Sequence, residues 1–143
     1  MEPPGELRVV LLNRQRGRRV SAPRLRRVLA GAAAALGVRG ELALVLAGDR
    51  LLQRLNRDYR GLDRTTDVLS FPGPGGEAGL GDIVISVETA SRNARGLGRT
   101  LPQELDVLAL HGLLHLLGHD HETDDGAMER LERRLRRRLL GHA

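Results

Sequence analysis

The sequence predicts a single α+β domain: a small mixed sheet of about four strands packed with about five helices, with residues 1–143 forming one unit. Three observations carry this expectation. A chain of 143 residues is long enough to bury a real core but too short for two ordinary domains. Its 41% hydrophobic and 29% charged residues are globular proportions, which excludes a disordered, collagen-like or mucin-like chain. Hydrophobic stretches of strand and helix character follow one another in the order β-α-β-α-β-β-α-α-α, a pattern that suits one sheet with helices against it.

The elements follow in order. Leu7 to Leu12 reads as a short strand, NRQRGRR as a basic turn, and Ser21 with Pro23 opens a helix. Leu25, Val28, Leu29, Ala32 and Leu36 recur at helical spacing, and Gly37 ends that helix. Glu41 to Ala47 is a second strand, and Asp49 caps a short helix whose Leu51, Leu52 and Leu55 form one stripe. Thr66 to Phe71 and Gly81 to Val87 are a third and fourth strand, a hairpin-like pair joined by the Gly/Pro loop PGPGGEAGL. That loop lacks the Gly-Lys-Ser/Thr ending of a phosphate-binding loop and reads as a surface turn. Glu88 to Leu97 is a weak helix stopped by Gly98. Thr100 and Gln103 form a capping box that starts a helix running to about Gly118. This helix is apolar nearly all round from Leu105 to Leu117, as a helix at the centre of a domain must be. A last helix, Asp124 to Leu140, places Met128, Leu131, Leu135 and Leu139 on one side and arginines on the other.

Composition removes several functions. Tyr59 and Phe71 are the only aromatic residues, so stacking of bases on aromatic platforms is excluded. The absence of cysteine removes disulfides, thiolate metal sites and cysteine nucleophiles, and leaves His and carboxylates as metal ligands. MEPPGELRVV carries acids and prolines where a signal peptide has basic and hydrophobic stretches, and the longest mostly apolar run, Val107 to Gly118, is far short of the ~20 residues that span a bilayer. The expectation is a cytoplasmic protein with no membrane partner.

The net charge of +5 is unevenly spread: +8 over residues 1–64, −7 over 65–128 and +4 over 129–143. All 23 basic residues are Arg, which codon bias in a GC-rich genome explains. The planar fork of Arg also grips phosphate bidentately, so the basic surface suits a polyanion.

Four of the five histidines lie within HGLLHLLGHDH, at 111, 115, 119 and 121. His111 and His115 are four apart on the buried helix, which stacks their side chains on one face with Cβ atoms about 5–6 Å apart. Gly118 lets the chain reverse, and the reversal lets His121 swing back toward the pair. Three neutral imidazoles with one coordination position open are the layout of a catalytic zinc site, here at the end of the central helix. The alternative is hydrogen-bonded core histidines. Two in a helix otherwise of leucine would each cost ~1–3 kcal/mol if left without a partner, a cost that a shared ion removes. His119 is off register and reads as a solvent or outer residue, and His142 as solvated.

The spacing H-x-x-x-H-x-x-G-x-x-H is that of metzincin peptidases, but these carry a glutamate after the first histidine as general base. Here that residue is Gly112. A bound Zn²⁺ polarises a phosphoryl oxygen as readily as a carbonyl, and the basic flanks favour a phosphodiester.

These residues carry a resemblance. HGLLHLLGHDH resembles the H-G-x-L-H-L-x-G-Y-D-H signature of the YbeY family, bacterial endoribonucleases of rRNA maturation. LNRDYRGLDRTTDVLSFP at 55–72 is similar to that family's L-N-x-x-Y-R-x-x-D-x-P-T-D-V-L-S-F-P, and LGDIVIS at 80–86 is a third matching stretch. His119 stands where the family usually has Tyr, and Thr65 where it has Pro. The resemblance implies a zinc-dependent, single-strand-selective endoribonuclease of 16S rRNA 3′-end processing, with RNA and ribosomal subunits as partners and no DNA. It implies one Zn²⁺ on His111, His115 and His121, and a functional Arg60 in the cleft beside it. Read from its residue type alone, Arg60 is either a phosphate clamp or an exposed loop arginine. Asp82 matches the family's LGD aspartate and either orients a ligand, accepts a proton or merely starts a strand. Asp120 either holds a histidine ring or caps the following turn. Two rivals stand beside this reading: a peptidase with its base supplied by Glu88 or Asp120, and a non-catalytic ribosome-binding factor held together by its metal.

Overall fold

In the computed structural model, which describes residues 6–75, 78–119 and 126–140, the chain runs through β1 (Leu7–Asn13), α1 (Ala22–Leu36), β2 (Gly40–Ala47), α2 (Asp49–Arg60), β3 (Val68–Pro72), β4 (Gly81–Ser86), α3 (Val87–Leu97), α4 (Leu101–Leu116) and α5 (Ala127–Leu140). This is the expected α+β order. The strands form one mixed sheet in the order β1-β2-β4-β3. β1, β2 and β4 are parallel, and β3 pairs antiparallel with β4 as the hairpin-like connection requires.

The period of two along each strand sorts residues onto two faces. Leu44 and Leu46 stand beside Ile83 and Ile85 on one face, and Val45 stands beside Val84 on the other. α1 and α4 pack on the first face, with Leu25, Leu29, Leu105 and Leu113 completing the main core. α2 covers part of the second face through Leu52, against Leu69 and Val84. α5 closes over α4 and the end of α1, with Met128 and Leu135 against Leu114 and Leu36.

Local chemistry sets the helix ends. The Ser21 side chain accepts from the Arg24 N–H at the start of α1, and Gly37 ends it at φ 68°. The Thr100 and Gln103 capping box has both of its hydrogen bonds. Eleven of the sixteen α4 residues are buried, which makes it the central helix and restricts access to its C-terminal end. Two of these are acids. Glu104 is held by Arg99 at 2.6 Å and Asp106 by Arg24 at 2.7 Å, because a buried carboxylate without a cation costs several kcal/mol.

One expected helix start lies outside the described residues, and one capping residue differs from expectation. Residues 120–125 lie outside the described residues, so the expected start of the last helix at Asp124 does too. Asp49 does not cap α2: Gly48 is the N-cap, and Asp49 is the first helical residue. Its Oδ1 accepts from Ser86 Oγ and Thr89 Oγ1, each at 2.6 Å, and its Oδ2 from Arg92 at 2.7 Å. Burial pushes this carboxyl up, but the three hydrogen bonds and the Arg92 charge outweigh it and hold its pKa down at about 2, below the ordinary 3.8. The Thr65 hydroxyl reaches the same Oδ1 at 3.3 Å. The knot fastens the start of α2 to α3 and so aims the other end of α2, where Arg60 sits.

Candidate metal centre and its cleft

The last turn of α4 brings His111 and His115 together as their spacing predicts. Their rings lie 4.6 Å apart between centroids, and the two Nε2 atoms are 3.0 Å apart. Nitrogens that close cannot both aim lone pairs into empty space: either one carries a proton, or both face a cation. The pair therefore fits a shared divalent ion, for which imidazole nitrogen is a suitable donor.

The other nitrogen of His111 is engaged from α5. Nδ1 lies 2.9 Å from Glu132 Oε1. An ionised carboxylate only accepts, so Nδ1–H donates and Nε2 is the nitrogen turned toward His115. A carboxylate behind a ligating histidine is the usual outer support of a metal site. Sequence reading missed Glu132. The available signal was its place on the edge of the apolar stripe, next to Leu131 and one turn beyond Met128, in a helix otherwise rich in arginine. Glu132→Ala is expected to weaken divalent-metal affinity about 10–100-fold, measured by competition with a chelating dye; an affinity within twofold of the unaltered chain contradicts this support.

After α4 the chain turns back. Gly118 has φ 91°, and the His119 N–H donates to the Leu114 carbonyl at 3.0 Å. His119 lines the cleft beside the pair. His121, the expected third ligand, lies outside the described residues, as do Asp120 and His142. Among the described residues, no group of three His, Asp or Glu side chains is placed to hold a metal.

The cleft in front of the pair has a volume of about 540 Å³ and is walled by β3, the end of α2 and the end of α4. Arg60 reaches it as the last residue of α2. Gly61 stops the helix there at φ 71°, and buried Asn56 pins the following loop by donating to the Arg64 carbonyl at 3.0 Å. Arg60 makes no ion pair among the described residues, so its charge is available to an anion. Asp67 is the cleft's carboxylate among the described lining residues, and it accepts from Asn93 at 3.2 Å. It was not singled out in sequence, where TDVLSF reads as a strand and as part of the YbeY-like stretch, with no role given to its acid.

Asp82 is not brought into this cleft. It stands beside Ala43 and Phe71 on the α2 face of the sheet, whereas its neighbour Ile83 faces α4. It borders a separate depression near the start of β4. Glu88 is also elsewhere, its Oε1 accepting the Asp49 N–H at 2.8 Å.

Gly112 has a packing reason. A Cβ there would lie 2.6 Å from Ile83 Cγ2 and 3.2 Å from Ser70 Oγ, and its carbonyl accepts from Ser70 Oγ at 2.9 Å. The helix side that would carry a metzincin glutamate is pressed onto the sheet.

Comparison with known proteins decides the family. The family model described as Endoribonuclease YbeY matches residues 12–140. The chain belongs to the YbeY endoribonuclease family. It is 55% identical over 95 residues to the Endoribonuclease YbeY of Solibacter usitatus, covering 66% of this chain and 63% of that protein. With that of Moorella thermoacetica it shares 50% over 119 residues, covering 73% and 76%. A solution structure from Thermotoga maritima superposes with a TM-score of 0.62 at 26% identity, covering 94% of this chain and 89% of that one. Two of the YbeY-like segments line the cleft, one at the end of α4 and one at the end of α2 and β3, and the third forms β4 beneath Gly112. Among the described residues, no helix is long and apolar enough to cross a membrane.

Proposed function

We infer that the chain is a metal-dependent endoribonuclease, a cytoplasmic hydrolase that cuts single-stranded RNA in 16S rRNA 3′-end maturation on the ribosomal subunit. One Zn²⁺ is held by His111, His115 and His121. The observation that carries this reading is the pair of Nε2 atoms 3.0 Å apart at the mouth of a cleft that Arg60 also lines. Zinc, when bound, supplies a Lewis acid that draws charge from a phosphoryl oxygen.

The chain's own groups supply the rest. Arg60 binds a non-bridging phosphate oxygen and neutralises the charge that grows as the phosphorus gains a fifth oxygen. Glu132 takes the Nδ1–H of His111 and so presents Nε2 as the ligating atom. Asp67 stands ready to take a proton from the attacking hydroxyl. Of the bases open to the peptidase alternative, Glu88 is engaged at the start of α2 and Gly112 has no room for one, while Asp120 lies outside the described residues.

The test is cleavage of a single-stranded 16S 3′-end oligoribonucleotide by the purified chain, with elemental analysis alongside. The expected result is about one zinc per chain, loss of cleavage on chelation, and its return with added Zn²⁺. Cleavage indifferent to the chelator, or a metal-loaded chain that leaves this RNA intact, overturns the reading. A 2′,3′-cyclic phosphate on the product would assign the attack to the neighbouring 2′-OH.

A further inference from the structure

We propose that the outward face of α5, made of Arg130, Arg133, Arg134 and Arg137, is a track that binds the phosphate backbone of single-stranded RNA. It rests on the nuclease reading only for the identity of the polyanion.

The helix period puts these residues on one face. Met128 and Leu135 are buried against α4 and α1, with Leu131 and Leu139 packed beside them. At about 100° per residue, positions 130, 133, 134 and 137 fall in an arc opposite that stripe. All four are exposed, and together with Ala127 they border one depression of about 420 Å³. The arrangement stacks like charges at i, i+3 and i, i+4, each such pair destabilising for the isolated helix. The contacts of Arg130 and Arg133 offset part of it. Of its two acids, Glu132 is turned away to His111, and Glu129 meets Arg133 at 2.9 Å. Arg134 and Arg137 make no ion pair among the described residues.

A polyanion relieves this repulsion. From Arg130 to Arg137 the helix rises about 10 Å, a span over which its arginines can meet more than one phosphate of a strand laid along it. Arginine forks suit phosphate oxygens. The face carries no large apolar side chain to enter a bilayer, which argues against a lipid surface, and no aromatic ring, so it reads backbone and not bases. The same helix carries Glu132 to His111 on its other side.

The test is the full chain bearing Arg130→Gln, Arg134→Gln and Arg137→Gln together. Its binding to an uncleavable 2′-O-methyl single-stranded oligoribonucleotide is followed by fluorescence anisotropy across a salt series. At ~0.7 per phosphate, losing about three contacts lowers the slope of log affinity against log salt by about 2 and weakens binding at low salt at least about tenfold. A matched triple, Arg8→Gln, Arg57→Gln and Arg95→Gln, removes the same charge elsewhere and is expected to keep the slope. An unchanged slope in the α5 triple overturns the track, as does an equal fall in the matched triple. Anionic vesicle binding lost in the α5 triple while its RNA slope stays intact also overturns it. Because the probe cannot be cut, the outcomes separate: a chain that binds through α5 yet cleaves no RNA sinks only the nuclease reading. One that cleaves RNA with the slope unmoved sinks only the track.

Discussion

Replacing His115 with alanine is expected to strip the chain of its metal and lower RNA cleavage by at least about 10³-fold while the fold survives. The size follows from what is removed. A single preorganised group that stabilises developing charge is worth about 10²–10³ in rate, and an ion that polarises the phosphate is worth more. Survival of the fold follows from position. His115 faces the cleft and is only half-buried, whereas the leucines around it, Leu113, Leu114 and Leu116, face the interior and are untouched. Elemental analysis, circular dichroism and cleavage of the 16S 3′-end oligoribonucleotide check the three parts. Full metal content in the variant, or cleavage within tenfold of the parent, would remove His115 from the centre. A folded, metal-depleted variant that still supports rRNA processing would turn the protein into a ribosome-binding factor.

Restoring the metzincin glutamate is expected to destroy the protein and not convert it. Gly112→Ala already forces a methyl to within 2.6 Å of Ile83 Cγ2 in a fully buried position, an overpacking that costs about 1–3 kcal/mol. Gly112→Glu adds one more methylene and a carboxylate against Ile83 and Ser70, which raises the cost by several kcal/mol. A small domain with about 5–15 kcal/mol in total has little left after that. The alanine variant should fold with a lower denaturation midpoint, and the glutamate variant should accumulate as insoluble chain. A soluble Gly112→Glu protein that hydrolyses casein in a chelator-sensitive way would refute this packing account and revive the peptidase.

What could be read from the sequence was local. Ser21, Gly37 and the Thr100–Gln103 box set helix ends through bonds spanning at most four residues, and the structure places them as expected. The pairing of His111 with His115 needed only the helix period. Partners distant in sequence stayed hidden. Arg24 meets Asp106 across 82 positions, and His111 meets Glu132 across 21; neither has a pattern within a single segment. Asp82 shows the same difficulty in a strand. A side chain's face depends on register, and the register of β4 against β2 sends Asp82 away from the histidines. Arg60 was expected in the cleft only because its segment resembles the YbeY one; its residue type alone favoured an exposed loop arginine. Asp49 was expected to cap a helix because its carboxylate precedes an apolar stripe, and three donors on and beside α3 compete for it.

If His111 holds the ion through Nε2, its contact with Glu132 would make the C-terminal helix a partner of that ion in a thermodynamic sense. Coordination would make Nδ1–H a stronger donor, so loading would tighten the grip on α5, and by reciprocity a firmly seated α5 would raise affinity for the ion. Loosening at the tail of the chain would then be felt at the cleft as a poorer ligand, without any change in the residues that face the RNA.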